Sequence, residues 1–385
     1  MPLTARQILE KLVSFPTVSR DSNLDLADWV EEYLRNLDIE PHRMLNEDGT
    51  KAAIFASVGP EASGGVVLSG HSDVVPVDGQ DWSTNPWEVV ERDGKLFGRG
   101  TCDMKGFDAI ALATLAKARV ADLKRPLQIA LSYDEEVGCT GAPPLIDAMQ
   151  GVVPKADVAI IGEPTMMKVV TGHKGGTGFH VHMRGYEVHS SIMHTGVNAI
   201  MEGAKLIEWA NGMNDRNRAT TPTPLAAIFE PPWTTLHVGM ISGGTAHNIT
   251  AKDCKFGVDF RFVPGDDPEG WNARFLEQVA NIRADMQSVN PNAGIDIEPF
   301  FGVPGLTPED NGAAEELTRN LTGDNGTNVV SYGTEAGHFQ NGGYSAVVCG
   351  PGDIAQAHQQ DEFITVKQFE AGEALMDRLI DYLCR

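Results

Sequence analysis

Four times along this chain a short apolar run stops and an acid or a histidine follows within a few residues. No other feature constrains the fold as tightly. The runs at 65–68, 127–131, 158–161 and 346–349 lead into Gly70-His71-Ser72-Asp73, Ser132-Tyr133-Asp134-Glu135-Glu136, Gly162-Glu163-Pro164 and Gly350-Pro351-Gly352-Asp353. Segments with helical spacing, at roughly 105–119 and 143–149, lie between the first three. Strand, loop, helix, strand is the pattern of an α/β sheet, whose sites lie on the loops beyond the strand C-termini. The pattern therefore predicts a fold that gathers these side chains along one sheet edge.

Ahead of the first run, Ile8, Leu9, Leu12 and Val13, then Leu26, Trp29, Val30 and Leu34, recur at helical spacing, and another strand is expected at 52–58. The Gly-rich stretch His173-Lys174-Gly175-Gly176-Thr177-Gly178 breaks the pattern. Beyond it the chain reads as a strand at 179–184, a helix at 198–211 and strands at 236–241 and 255–262. A helix at 271–289 and a strand at 295–299 follow. Strand-helix-strand-strand-helix-strand is a small α+β sandwich. After residue 302 the α/β pattern resumes and ends in an amphipathic helix at 366–382. At 385 residues the chain exceeds what one core usually serves. Residues 1–173 with 303–385 are therefore expected to form one domain, and 174–302 an inserted one.

With 30 basic against 53 acidic residues the formal charge is −23, a surface that repels phosphate backbones and anionic lipid. Nucleic-acid and membrane roles are not expected. The longest apolar runs are too short to cross a bilayer. The first residues lack the apolar core of a secretory signal, so a cytoplasmic location is expected. Five cysteines without a CxxC pair suit a reducing compartment and no disulfide frame.

Each acid or histidine has a bland and a chemical reading. His71 with Asp73 two residues on suits a metal ligand oriented by a neighbouring carboxylate, or a plain hydrogen bond. Asp103, in Gly98-Arg99-Gly100-Thr101-Cys102-Asp103-Met104-Lys105-Gly106, could cap a helix or offer one oxygen to each of two cations. Three successive acids, Asp134-Glu135-Glu136, are costly at the end of a buried strand unless cations neutralise them. On extended backbone the two glutamates diverge, so one can bind metal while the other handles protons. Glu163 and His358 repeat the theme. Imidazole nitrogens mixed with carboxylate oxygens suit zinc, manganese or cobalt, and the scattered cysteines argue against a structural zinc finger.

Taken in order, HSDVVP, GRGTCDMKG, DEEVG, GEP and the late GPGxxxxAH resemble the co-catalytic zinc family of acetylornithine deacetylase, succinyl-diaminopimelate desuccinylase and aminoacylase. The resemblance spans essentially the whole chain. It implies a zinc-peptidase-like α/β catalytic domain with a mixed central sheet. It also implies that the insert is a ferredoxin-like dimerisation and lid domain, making the protein a homodimer. By matching position, His71 and Glu163 would hold one zinc, Glu136 and His358 the other, and Asp103 would bridge them, with cobalt or manganese as substitutes. Glu135 matches the family's general base and Asp73 the carboxylate that orients His71. The implied chemistry is attack of an activated water on an acyl carbonyl, with Glu135 moving the proton.

In the insert, His189 matches a residue that reaches a neighbouring active site in cis or in trans and donates to the oxyanion, with His194 its rival. Asn248, in Gly243-Gly244-Thr245-Ala246-His247-Asn248, resembles a substrate contact. Arg261 could clamp a substrate carboxylate or form a surface ion pair. Within the family, HSDVVPVDGQDW, RGTCDMKGF, IGEPT, TEAG and AHQQDEF resemble acetylornithine deacetylases, enzymes of arginine biosynthesis. Glu335 then becomes a candidate partner for ornithine's distal ammonium, or a helix-terminal charge. No Lys or Arg occurs in 330–363 to serve a second substrate carboxylate, which disfavours the desuccinylase. Another N-acyl amino acid or a dipeptide is the alternative substrate. A metal-binding protein without activity is the non-enzymatic alternative, against which the intact Glu135 and five ligand positions count.

Overall fold

A computed structural model describes residues 2–385. The chain divides into two compact units. The first takes the chain through Gly172, with Leu306–Val329 and Thr334–Arg385; the second is His173–Gly305 with Val330–Gly333. The strand Gly294–Val303, longer than the five residues its sequence pattern marks, lies wholly in the second unit.

The first unit is built on an eight-stranded mixed sheet. Its order is Pro41–Leu45, Ala52–Val58, Leu127–Ser132, Val66–His71, Val158–Pro164, Ser345–Gly350, Val170–His173, Asn328–Val330. The four strands from Leu127–Ser132 to Ser345–Gly350 are parallel neighbours. Every residue of Val66–His71, Leu127–Ser132 and Val158–Pro164 is buried. Such strands read as continuous apolar runs because helices cover both faces. Their shared direction puts His71, Glu163 and the Asp134-Glu135-Glu136 turn at one edge. The outer strands Pro41–Leu45 and Ala52–Val58 run antiparallel.

The helix Lys105–Ala118 is buried on nearly every side, and its alanines let neighbouring elements approach closely. It packs against Ala5–Val13, against Val366–Leu383 and against the sheet. Ala5–Val13 starts in a capping box, Thr4 and Gln7 each satisfying the other's backbone N–H. Phe107 lies directly under Gly162: a β-carbon added there would stand 2.0 Å from the ring.

In the second unit the four-strand order is Thr235–His237, Asp253–Phe262, Gly175–Arg184, Gly294–Val303, all antiparallel pairs. With helices Ala199–Ala219 and Pro268–Val289 this is the ferredoxin-like order. Along Asp253–Phe262 the residues Cys254, Phe256, Val258, Phe260 and Phe262 turn inward, and Phe275 stacks on Phe179 at 5.0 Å. The single strand expected at 236–241 is two strands, Thr235–His237 and Ile241–Gly243, both paired with Asp253–Phe262. From His237 to Ile241 the chain takes four steps while its partner takes three, from Asp259 to Phe256, so one extra residue interrupts the ladder as a bulge.

Among the described residues no helix is long and apolar enough to cross a membrane. All five cysteines are free. Because Phe107 leaves no room above it, Gly162→Ala is expected to cost ~1–3 kcal/mol through forced repacking. Urea unfolding measures this; an unchanged midpoint would mean that the ring moves aside freely.

Candidate metal centre

His71 closes the strand Val66–His71 and is 1% exposed. Its Nδ1 lies 2.9 Å from the backbone carbonyl of Asp73, and its Nε2 lies 3.1 Å from Asp103 Oδ1 and 3.6 Å from Glu163 Oε1. The Asp73 carboxylate faces the same nitrogen, its Oδ1 at the ion-pair distance of 3.6 Å, so Asp73 meets the ring with its carbonyl and its carboxylate together. The carboxylate also accepts from Ser19 Oγ at 2.7 Å and from the backbone N–H groups of Glu135 and Glu136 at 3.1 and 3.4 Å. Asp73 thus anchors the turn that carries both glutamates.

Asp103 places one oxygen against each histidine: Oδ1 at His71, and Oδ2 at 3.3 Å from His358 Nε2. His358 Nε2 is also 2.9 Å from Glu136 Oε2. The atoms of His71, Glu135 and Glu163, and again those of His71, Asp103 and Glu136, each lie within 4.8 Å of one another. Glu135 accepts a thiol hydrogen bond from Cys139 at 3.3 Å. Four carboxylates and two imidazoles, brought from five separate stretches of sequence, therefore share one edge.

The electrostatics follow from this crowding. Burial pushes Glu135 and Glu163 well above the ordinary carboxyl range, and neighbouring acids push them further. Burial resists charging of His71, but Asp103 and Asp73 outweigh it and hold the imidazole well above its usual value. Hydrogen bonds to Asp103 and Glu136 push His358 up to about 10. Burial would raise Asp103, yet its bonds to His358 and His71 keep it below the usual range. Without cations, protons supply the positive charge that these acids demand.

Whether the residues fit a metal has an independent answer. Glu136 Oε1 is buried without a hydrogen-bond partner, an expense that a cation at that oxygen would remove. Mixed nitrogen and oxygen donors on rigid strand ends suit a borderline divalent ion such as zinc. The residues fit.

Sequence reasoning missed the partners of this cluster. Asp134, with φ of 57°, turns away to an ion pair with Lys51, which disposes of the third consecutive acid. Glu335 precedes the short helix Ala336–Asn341 but makes no capping bond. It is 1% exposed, and its two oxygens accept from Ser69 Oγ at 3.1 Å and from Ser132 Oγ. Burial pushes it up to about 7. Each oxygen keeps a further acceptor site beyond its serine. Neither serine is distinctive in the sequence, so no signal marked the contact.

In the second unit, His189 and Asn248 lie together. Residues His189 and Ile249 form an isolated bridge, and the amide of Ser190 donates to the Asn248 carbonyl. His189 is exposed, with Nδ1 accepting from Ser191 Oγ at 2.8 Å; His194 is exposed as well. Both neighbours lie past the Asp253 end of the strand Asp253–Phe262, whereas Arg261 sits at its other end, roughly 25 Å away at strand rise. There Arg261 pairs with Asp259 at 3.1 Å and covers the Phe301 ring. The ion pair is present, and Arg261 lies at the other end of the strand from His189 and Asn248.

Comparison with known proteins places the chain among relatives. Residues 67–382 match the sequence profile of Peptidase family M20/M25/M40. An acetylornithine deacetylase of Myxococcus xanthus is 34% identical over 98% of this chain and 97% of its own length. Another from Shigella sonnei is 32% identical over the same shares. A metallo-carboxypeptidase of family M20 from Sulfolobus solfataricus superposes with a TM-score of 0.76 over 99% of each chain at 18% identity, a likeness of fold. With a family match over most of its length and relatives above 30% identity along nearly all of it, the chain belongs to Peptidase family M20/M25/M40 and is a hydrolase of that family.

Proposed function

We propose that this hydrolase removes the acetyl group from N-acetylornithine with the help of two divalent cations, zinc being the expected metal. The observation that carries the two-cation reading is the Asp103 carboxylate, which spans His71 and His358 with Glu135 beside it. His71 and Glu163 would hold one cation, Glu136 and His358 the other, and Asp103 both. Bound there, the pair supplies Lewis-acid activation of water and of the acyl carbonyl. Glu135 is free of ion pairs with either histidine, and takes the proton released as water attacks, then returns it to the leaving amine. Asp73 and Cys139 hold Glu135 for that task, one at its backbone and one at its carboxylate.

Support for the substrate comes from two relatives that carry the acetylornithine deacetylase name at 34% and 32% identity. The absence of Lys and Arg from 330–363 also favours a substrate without a second acidic end. Purified protein supplied with Zn2+ is expected to release acetate from N-acetylornithine faster than it hydrolyses N-succinyl-diaminopimelate or any of a panel of dipeptides. The opposite ranking would transfer the assignment to the desuccinylase or dipeptidase reading.

Glu135→Gln removes the proton carrier without removing a ligand. Its kcat is expected to fall by about 10²–10⁴-fold, with two cations per chain still present by elemental analysis. Retained turnover would sink the assignment, and so would loss of both metals.

The metal-free protein has a pH dependence of defined sign. His358 rises from 6.5 to about 10 on folding, so the folded state binds its proton more tightly. That contribution is complete below pH 6.5 and is lost as pH climbs through 10. The melting temperature without metal should therefore fall between these values, while saturating Zn2+, which takes the proton's place, should flatten the decline. A metal-free melting temperature that rises over that window contradicts the charge arrangement.

A further inference from the structure

The turn that delivers Asp103 is built around a side chain from the far end of the sequence. Glu362 is fully buried. Its Oε1 accepts from the backbone N–H groups of Cys102 and Asp103 at 2.9 and 3.0 Å. Its Oε2 accepts from the Gly100 N–H at 2.9 Å and from Arg99 Nη1 at 2.7 Å, and its own carbonyl accepts from Gly98 N. Four donors converge on one carboxylate, three of them backbone groups of a single short turn. Gly100, at φ of 83°, is what lets the turn wrap so closely.

Arg99 carries the connection onward. It is 1% exposed, and its Nη2 donates to Gln80 Oε1 at 2.6 Å while its guanidinium lies 5.1 Å from the Trp82 ring centroid. Trp82 Nε1 donates to the same Gln80 oxygen at 3.0 Å. The Gln80 amide then uses its Nε2 to donate to the backbone carbonyl of His358 at 2.9 Å. His358 itself sits at φ of 62°, a left-handed conformation that a residue with a β-carbon disfavours. Its side chain is half exposed and no regular element holds it. The turn of Asp103 and the stretch that carries His358 are thus joined twice, directly at Glu362 and through Arg99 and Gln80.

Stability alone gives little reason for this arrangement, since apolar packing often serves a buried site as well as an ion pair does. A site that needs two loops at a set spacing does give one. We infer that Gln80, Arg99 and Glu362 form a brace that sets the distance between Asp103 and His358, and thereby the affinity of the second cation position. The inference rests on the two-cation reading above. The three are positioning residues: none touches the cation positions, and each acts through Asp103 or His358. Gln80 is selective, because it touches the Asp103 turn only through the Arg99 side chain and holds the His358 carbonyl directly, whereas Glu362 holds the amide of Asp103, which serves both positions.

The test is a titration of the full-length, metal-free protein with Co2+, read by visible absorption and calorimetry. Wild type should bind two cations. Gln80→Ala should keep the first at wild-type affinity and weaken the second by about ten- to a hundredfold. Gln80→Glu keeps an acceptor for Arg99 and Trp82 but has no donor for the His358 carbonyl, and should weaken the second cation by a similar factor. Wild-type affinity at both positions in either variant overturns the brace, as does equal weakening at both positions, which marks a general loosening. A wild type that binds no pair of cations overturns the two-cation reading and the brace with it. A wild type that binds two beside an unaffected Gln80→Ala removes the brace alone.

Discussion

One carboxylate organises this protein's site. Asp103 reaches His71 with one oxygen and His358 with the other, and Glu135, Glu136 and Glu163 crowd the same edge. So many acids in a buried place repel one another and lose their hydration, a cost that only positive charge offsets. Protonated histidines supply it in the metal-free chain, which is why both imidazoles are held above their ordinary range. Divalent cations would supply it with more charge in less space. The surrounding structure serves to hold together groups that would otherwise move apart.

The parallel sheet does the first part of that work. Strands Val66–His71, Leu127–Ser132, Val158–Pro164 and Ser345–Gly350 run in one direction, so the residues that end them meet without any long excursion of the chain. The buried helix Lys105–Ala118 supplies the layer beneath, and Phe107 under Gly162 fixes the approach of the strand that carries Glu163. Loops do the rest. Asp73 grips the amides of the two glutamates, Lys51 draws Asp134 aside, and Glu362 shapes the turn that presents Asp103.

Two residues show how a correct location can hide a further task. Asp73 stands beside His71, as its spacing requires, and its carboxylate takes on the further task of holding the amides of the two glutamates. Glu335 lies in the same unit as the acid cluster, and its oxygens accept from Ser69 and Ser132. In both cases proximity was legible and the hydrogen-bond partner was not, because the partner's identity depends on backbone angles and on residues more than fifty positions away.

What this sequence determined by itself was the alternation of apolar runs with acids and histidines. Strand burial imposes that alternation directly on residue type, so the sheet, the edge and the gathering of His71, Glu135, Glu136, Glu163 and His358 could be read from it, while Asp103 entered through the resemblance of its motif. Local periodicity likewise marked the strand-helix pattern of the second unit. Only the tertiary structure decided which oxygen faces which nitrogen, that one expected strand is broken by a bulge, and that Arg261 stands at the far end of its strand from His189 and Asn248. It alone joined Gln80, Arg99 and Glu362. The reason is physical: burial acts on each residue's own chemistry, whereas a hydrogen bond between distant segments exists only once the chain has closed the loop between them.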